Sequence, residues 1–152
     1  MCGIVGYAGP RDTVEVLLEG LGRLEYRGYD SAGIAVVAPD GLASRKRGGK
    51  LGVLRGSLED APLPESSIGI GHTRWATHGG PTDENAHPHL GDEGRLALIH
   101  NGIVENFAEL RAELVAAGET FTSETDTEAA ALLLGRLYRE HGDLTQAMLA
   151  LV

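Results

Sequence analysis

The chain carries one cysteine, and it is the second residue, directly after the initiator methionine. A thiol titrates at about 8.5 and an α-amino group at about 7.7–8.0. If Met1 is removed, both groups belong to Cys2. The amine can then take the thiol proton, directly or through one water, which yields a nucleophile that needs no histidine partner. With Met1 retained, the amine is a non-basic amide. A lone cysteine is otherwise a small buried hydrophobe, but here the flanking Cys2-Gly3-Ile4-Val5-Gly6 favours chemistry, because glycine lets backbone approach a ligand closely.

Four other places carry chemical potential. Asn101-Gly102 follows an apolar strand. It suits a hairpin turn, and equally an oxyanion hole built from the Asn101 amide NH2 and the Gly102 backbone N–H. The loop Gly71–Gly79 contains Arg74, which can clamp a carboxylate in two-pronged fashion or stand in solvent. Asp126 lies at the start of an expected helix, where the dipole welcomes an acid and where it could also hold an ammonium. Arg74 and Asp126 together would match the two charged ends of a free amino acid. The histidines His72, His78, His87, His89 and His100 raise a metal site, but no His-Glu-x-x-His spacing accompanies them, and we expect no metal and no cofactor. Gly48-Gly49-Lys50-Leu51-Gly52 lacks the P-loop pattern and reads as a turn.

The elements that must position these groups follow from periodicity. Strands are expected over residues 3–8, 31–38, 42–47, 68–73 and 95–100, with Asp40-Gly41 closing a hairpin. Asp12 and Glu15 form a capping-box-like start to a helix whose apolar face is Val14, Leu17, Leu18, Leu21 and Leu24. A weak helix covers 51–58. Residues 74–91 read as one long loop of the kind that carries function. Three helices follow, begun by Asn106, by a Thr125/Glu128 capping box and by Asp143. The sum is an α+β sheet with helices on its faces.

The 152 residues suit one domain and permit a substantial core. A formal charge of −9 argues against nucleic acid or an anionic membrane as partner. No apolar run reaches the ~20 residues of a membrane helix, and no disulfide framework exists, so a cytoplasmic setting is expected. The last helix is still running at Val152. The chain therefore reads as the N-terminal portion of something longer, with part of its core exposed.

Assembled, these motifs resemble the glutaminase domains of the glutamine–fructose-6-phosphate aminotransferases. The carriers are Met1–Gly6, Leu24–Gly33 (Leu-Glu-Tyr-Arg-Gly-Tyr-Asp-Ser-Ala-Gly), His72–Gly79, Asn85–His89, His100–Ile103 and Ser123–Glu128. The resemblance covers residues 2–152. It implies the N-terminal-nucleophile hydrolase fold, a four-layer αββα sandwich, here expected to be incomplete at the C-terminus. It implies that Cys2 forms a γ-glutamyl thioester with L-glutamine, with Asn101 and Gly102 as oxyanion hole and Arg27 and Gly28 beside the nucleophile. Arg74 and Thr77 would hold the α-carboxylate with His78 nearby, Asp126 would take the ammonium, and His87 would be a pocket neighbour. Trp75 would gate the passage of ammonia. It further implies a sugar-phosphate isomerase domain absent from this sequence, and a homodimer of the longer enzyme.

Overall fold

The computed structural model describes residues 2–76 and 79–152. Strand β1 (Gly3–Ala8) leads into helix α1 (Thr13–Arg23), and a 3-10 turn over Glu25–Arg27 precedes the hairpin of β2 (Ser31–Ala38) and β3 (Gly41–Gly48). Helix α2 (Leu51–Asp60) and strand β4 (Ile68–Arg74) follow. A short hairpin of β5 (His89–Gly91) and β6 (Leu96–Leu98) comes next, then helices α3 (Phe107–Ala116), α4 (Asp126–His141) and α5 (Leu144–Leu151). The first four strands form one antiparallel sheet in the order β1-β4-β2-β3, and β5 pairs with β6 in a second sheet.

Successive residues of a strand point to opposite faces, so each strand divides its side chains between two layers. Ala32, Ile34 and Val36 of β2 face α1 and α2 and join Leu17, Leu18, Leu21, Leu51, Leu54 and Leu58 in the main apolar core. The amphipathic spacing read from the sequence thus lands on the core it implies. Asp12 caps α1 by accepting from the Glu15 N–H at 2.9 Å.

The opposite face of the sheet is different in character. Ile4, His72, Gly33 and Lys46 form one row across the four strands, as their pairing shows. Arg74 and Ser31 form the next row towards the β4 C-terminus, beside the N-terminal end of β1. This face is covered by the segment running into β5. A Cβ at Gly33 would collide with the His87 carbonyl, so only glycine admits that backbone. On the far side of β5, a Cβ at Gly91 would collide with the Ala131 carbonyl of α4. The order of layers is therefore α1/α2, large sheet, small sheet, α4: the αββα arrangement the resemblance implied. The buried carboxylate of Asp92 fastens the small sheet to α4 by accepting from Arg95 and Arg139, both at 2.8 Å.

Three local expectations are corrected. The long loop 74–91 ends in strand β5, which three residues of mixed polarity did not announce. The expected strand 95–100 is paired only over Leu96–Leu98, because the partner β5 is that short. The Thr125/Glu128 capping box is not made. Thr125 occupies the N-cap position of α4 without a side-chain cap hydrogen bond, and both side chains are engaged elsewhere.

Because the covering segment packs directly on Gly33, Gly33→Ala costs about 1–3 kcal/mol through overpacking. Gly56→Ala, in α2 with open space around it, gains about 0.5–1 kcal/mol. Chemical denaturation of the two variants checks the contrast, and equal effects would contradict the layer assignment.

Candidate functional site

The polar end of the large sheet opens into a cleft of about 150 Å³. This is below the ~300–1,000 Å³ of drug-sized sites and suits a small metabolite. Cys2 and Arg74 reach it from the large sheet, His87 from the segment before β5, Asn101 and Gly102 from the loop after β6, and Asp126 from the first turn of α4. A larger cleft, about 530 Å³, lies at the other end of the sheet between Pro10, Leu18, Arg55, Leu58 and Leu63. It holds none of the groups that the sequence singled out, so size does not select the site here.

The thiol is held by backbone. The Trp75 N–H donates to Cys2 Sγ at 3.3 Å, and Sγ lies 3.8 Å from the Trp75 carbonyl oxygen. These two contacts fix where the sulfur lies at the mouth of the cleft. The Trp75 turn is itself fixed by Asp30, whose carboxylate accepts from the Ala76 N–H at 2.6 Å and whose backbone N–H donates to the Arg74 carbonyl at 2.8 Å. Asp30 was legible only as one letter of a motif; its holding role needed the fold. Gly28, at φ 71, sits under the Trp75 ring rather than on the cleft wall. The backbone of Arg27 belongs to the adjacent 3-10 turn. The Trp75 side chain is 55% exposed at the cleft mouth.

The two charged groups are buried: Arg74 is 3% and Asp126 is 4% exposed. Arg74 donates to the Gly80 carbonyl at 3.2 Å, and the same oxygen accepts from the Asn85 amide at 3.1 Å. Asp126 accepts from the Val104 N–H at 2.8 Å. That bond ties the loop after β6 to α4, and a His100–Thr127 contact of 3.3 Å ties it again. Asn101-Gly102 therefore does not close a hairpin. It stands in a loop pinned at both ends, with the His100 ring packed so closely against Gly102 that a Cβ would come within 2.6 Å of it. Thr77 and His78 lie outside the described residues.

Behind the cleft, His72, His87 and His89 stack, with ring centroids 4.3 Å and 4.7 Å apart. Burial is the main reason all three sit below the usual imidazole range, His72 at about 4 and His89 at about 3. Neighbouring charge, from Arg74 on His72 and from Lys46 on His89, adds to it. Burial thus keeps all three neutral at neutral pH. Both ring nitrogens of His87 are buried without a hydrogen-bond partner among the described residues. No group of three His, Cys, Asp or Glu side chains among the described residues is placed to hold a metal ion.

The profile of a glutamine amidotransferase domain family matches residues 50–151. The chain is 70% identical over 148 residues to the glutamine–fructose-6-phosphate aminotransferase (isomerizing) of Leifsonia xyli, covering 97% of this chain and 24% of that protein. Over the same shares it is 62% identical to the namesake from Streptomyces coelicolor and 61% identical to that from Thermus thermophilus. The chain thus spans about a quarter of the length of these curated relatives. Among solved structures, it is similar to the glutamine phosphoribosylpyrophosphate amidotransferase of B. subtilis, at TM-score 0.81 and 28% identity over 99% of this chain and 32% of that one. A structure described as the allosteric regulatory enzyme of purine biosynthesis matches at TM-score 0.81 and 29% identity, with the same coverage. These likenesses agree with the layered fold described above.

The buried histidines make stability depend on pH. Their folded values lie below the unfolded value of about 6.5. The unfolded chain therefore binds more protons below that pH, and stability falls as pH drops from about 6.5 towards 4. The expected slope is about 1.4 kcal/mol per pH unit for each buried histidine. Denaturant melts between pH 8 and 5 read it directly; a flat profile would mean that the stack is solvated.

Proposed function

The chain belongs to the glutamine amidotransferase domain family, and on that premise we propose that its cleft hydrolyses the side-chain amide of L-glutamine with Cys2 as nucleophile. The observation that carries this is the convergence of one thiol, one buried guanidinium, one buried carboxylate and an Asn-Gly pair on a single small cleft. Glutamine presents a carboxylate, an ammonium and a reactive amide, and each finds a chemical complement there.

Arg74 and Thr77 take the α-carboxylate, with His78 nearby, and Asp126 takes the α-ammonium. His87 borders the bound side chain. Once Met1 is removed, the free amine of Cys2 accepts the thiol proton, aided in placement by Arg27 and Gly28. The thiolate adds to the amide carbon. The Asn101 amide and the Gly102 N–H donate to the oxyanion, a role in which one donor is typically worth ~2.7–4 kcal/mol. The tetrahedral intermediate collapses, the C–N bond breaks, and the ammonium of Cys2 returns its proton so that ammonia leaves. Water, deprotonated by the same amine, then cleaves the γ-glutamyl thioester to glutamate and regenerates the thiol.

The names of the relatives support fructose 6-phosphate as the acceptor in the wider setting, and the other features of that setting are proposed with it. In it, ammonia passes Trp75 to fructose 6-phosphate held by an isomerase domain of a longer chain, which works as a homodimer in the cytoplasm. The gating role of Trp75 is compatible with its place at the cleft mouth.

A diazo-ketone analogue of glutamine tests the core of the proposal. Intact mass should show loss of Met1 and then one adduct, mapped to Cys2 and blocked by glutamine. A folded chain lacking Met1 that stays unlabelled would refute the assignment. Asp126→Asn should raise the glutamine concentration giving half-protection by about 10–100-fold, the worth of a charge-assisted hydrogen bond. Reaction with iodoacetamide reports separately that the thiol remains accessible in that variant.

A further inference from the structure

The two charged ends of the cleft stand on different layers. Arg74 belongs to β4 of the large sheet and Asp126 to α4, beyond the small sheet. A ligand that must touch both depends on whatever sets the distance between those layers. One run of contacts crosses it, hydrogen-bonded from α4 to His89 and ring against ring from His89 through His87 to His72 of β4.

The run begins at Glu128, 4% exposed in the first turn of α4. Its Oε1 accepts from the Thr122 N–H at 2.8 Å and the Thr122 hydroxyl at 2.7 Å. Its Oε2 accepts from the Ser123 N–H at 2.7 Å and the Ser123 hydroxyl at 2.6 Å. Burial pushes this carboxyl up, but the hydrogen bonds from Ser123 and Thr122 outweigh burial and hold it below the usual carboxylate range. Ser123 Oγ lies 2.9 Å from Thr125 Oγ1, and Thr125 Oγ1 lies 2.8 Å from His89 Nε2. His89 meets His87 edge-on, and His87 stacks on His72 of β4, two residues from Arg74.

The proton directions along this run are forced. An ionised carboxylate only accepts. Ser123 therefore spends its one hydroxyl proton on Glu128, so the Ser123–Thr125 contact uses the Thr125 proton. Thr125 can then only accept from His89, which must carry its proton on Nε2. The same demand explains why Thr125 leaves the N-terminus of α4 without the side-chain cap that its position offers. A cap would turn the hydroxyl away from His89.

We propose that Glu128, Ser123, Thr125 and His89 form a positioning relay that locks His89 as the Nε2–H tautomer and fastens α4 to the histidine stack on β4, so that Asp126 and Arg74 are held at the separation an α-amino acid requires. None of the four is a catalytic residue. The relay rests on the reading of the cleft as a glutamine site, and it predicts an effect on glutamine affinity rather than on the thiol.

Two measurements on the full chain test it. A long-range proton–nitrogen spectrum of the histidine rings should place the His89 proton on Nε2 at neutral pH, with Nδ1 bare. A Nδ1–H tautomer or an imidazolium would overturn the relay, and this readout needs neither substrate nor variant. Thr125→Val removes the hydroxyl in an isosteric side chain. It should release the His89 tautomer and raise the glutamine concentration that half-protects Cys2 from the diazo-ketone analogue roughly five- to tenfold, the worth of one buried hydrogen bond. Iodoacetamide should label Cys2 at an unchanged rate, and Thr125→Ser, which keeps the hydroxyl, should restore both readouts. Unchanged half-protection in a folded Thr125→Val chain would overturn the proposal. If that variant fails to fold, Ser123→Ala breaks the run one link earlier and carries the same expectation. Failure of glutamine to protect the unaltered chain would instead refute the glutamine reading, while the tautomer still decides the relay.

Discussion

Arg74 and His72 stand two residues apart on the same face of β4, and the layer that covers them is polar as well. Burying such groups between two sheets costs free energy unless every charge and hydrogen bond is answered. Much of the architecture can be understood as that answer, although the ring nitrogens of His72 and His87 have no hydrogen-bond partner among the described residues. The imidazoles are kept neutral, the carboxylates of Asp126, Glu128 and Asp92 are met by N–H, hydroxyl or guanidinium donors, and glycine at position 33 lets the covering backbone come close enough to exclude solvent.

The division of labour between the two faces of the large sheet follows. One face meets α1 and α2 through leucine, isoleucine and valine, and supplies the apolar burial that stabilises the domain. The other carries the cleft. A single set of strands can serve both because side chains alternate with period two. A substitution on the helix-facing side therefore acts through stability, while one on the opposite side can reach the site as well as stability, as at Gly33.

The cleft gathers groups from segments far apart in the chain, and small tethers hold each one. Asp30 holds the turn that presents an N–H to Cys2, and Asp126 itself holds the loop of Asn101 and Gly102. Under the proposed function, in which Asp126 also takes the ligand ammonium, the same carboxylate would link ligand binding to the placement of Asn101 and Gly102. That linkage is economical in a small domain, and it concentrates sensitivity to mutation at the first turn of α4.

The sequence by itself determined the strands and helices whose apolar residues repeat at period two or near 3.6, the Asp12 and Asp143 caps, and the types of residue available for chemistry. Those signals act between near neighbours, and a chain read from one end contains them. The motif blocks also carried the family. What only the tertiary structure decided was which groups meet. Cys2 and Trp75 are 73 residues apart, and His89 and Thr125 are 36 apart. Neither contact has a local signature. Thr125 and Glu128 have the spacing of a capping box, and local rules alone would pair them with the helix they begin. In the fold, a buried serine and a neutral histidine compete for the same hydroxyl and carboxylate. The competitors win because an unanswered polar group between two sheets costs more than an unmade cap at a helix end.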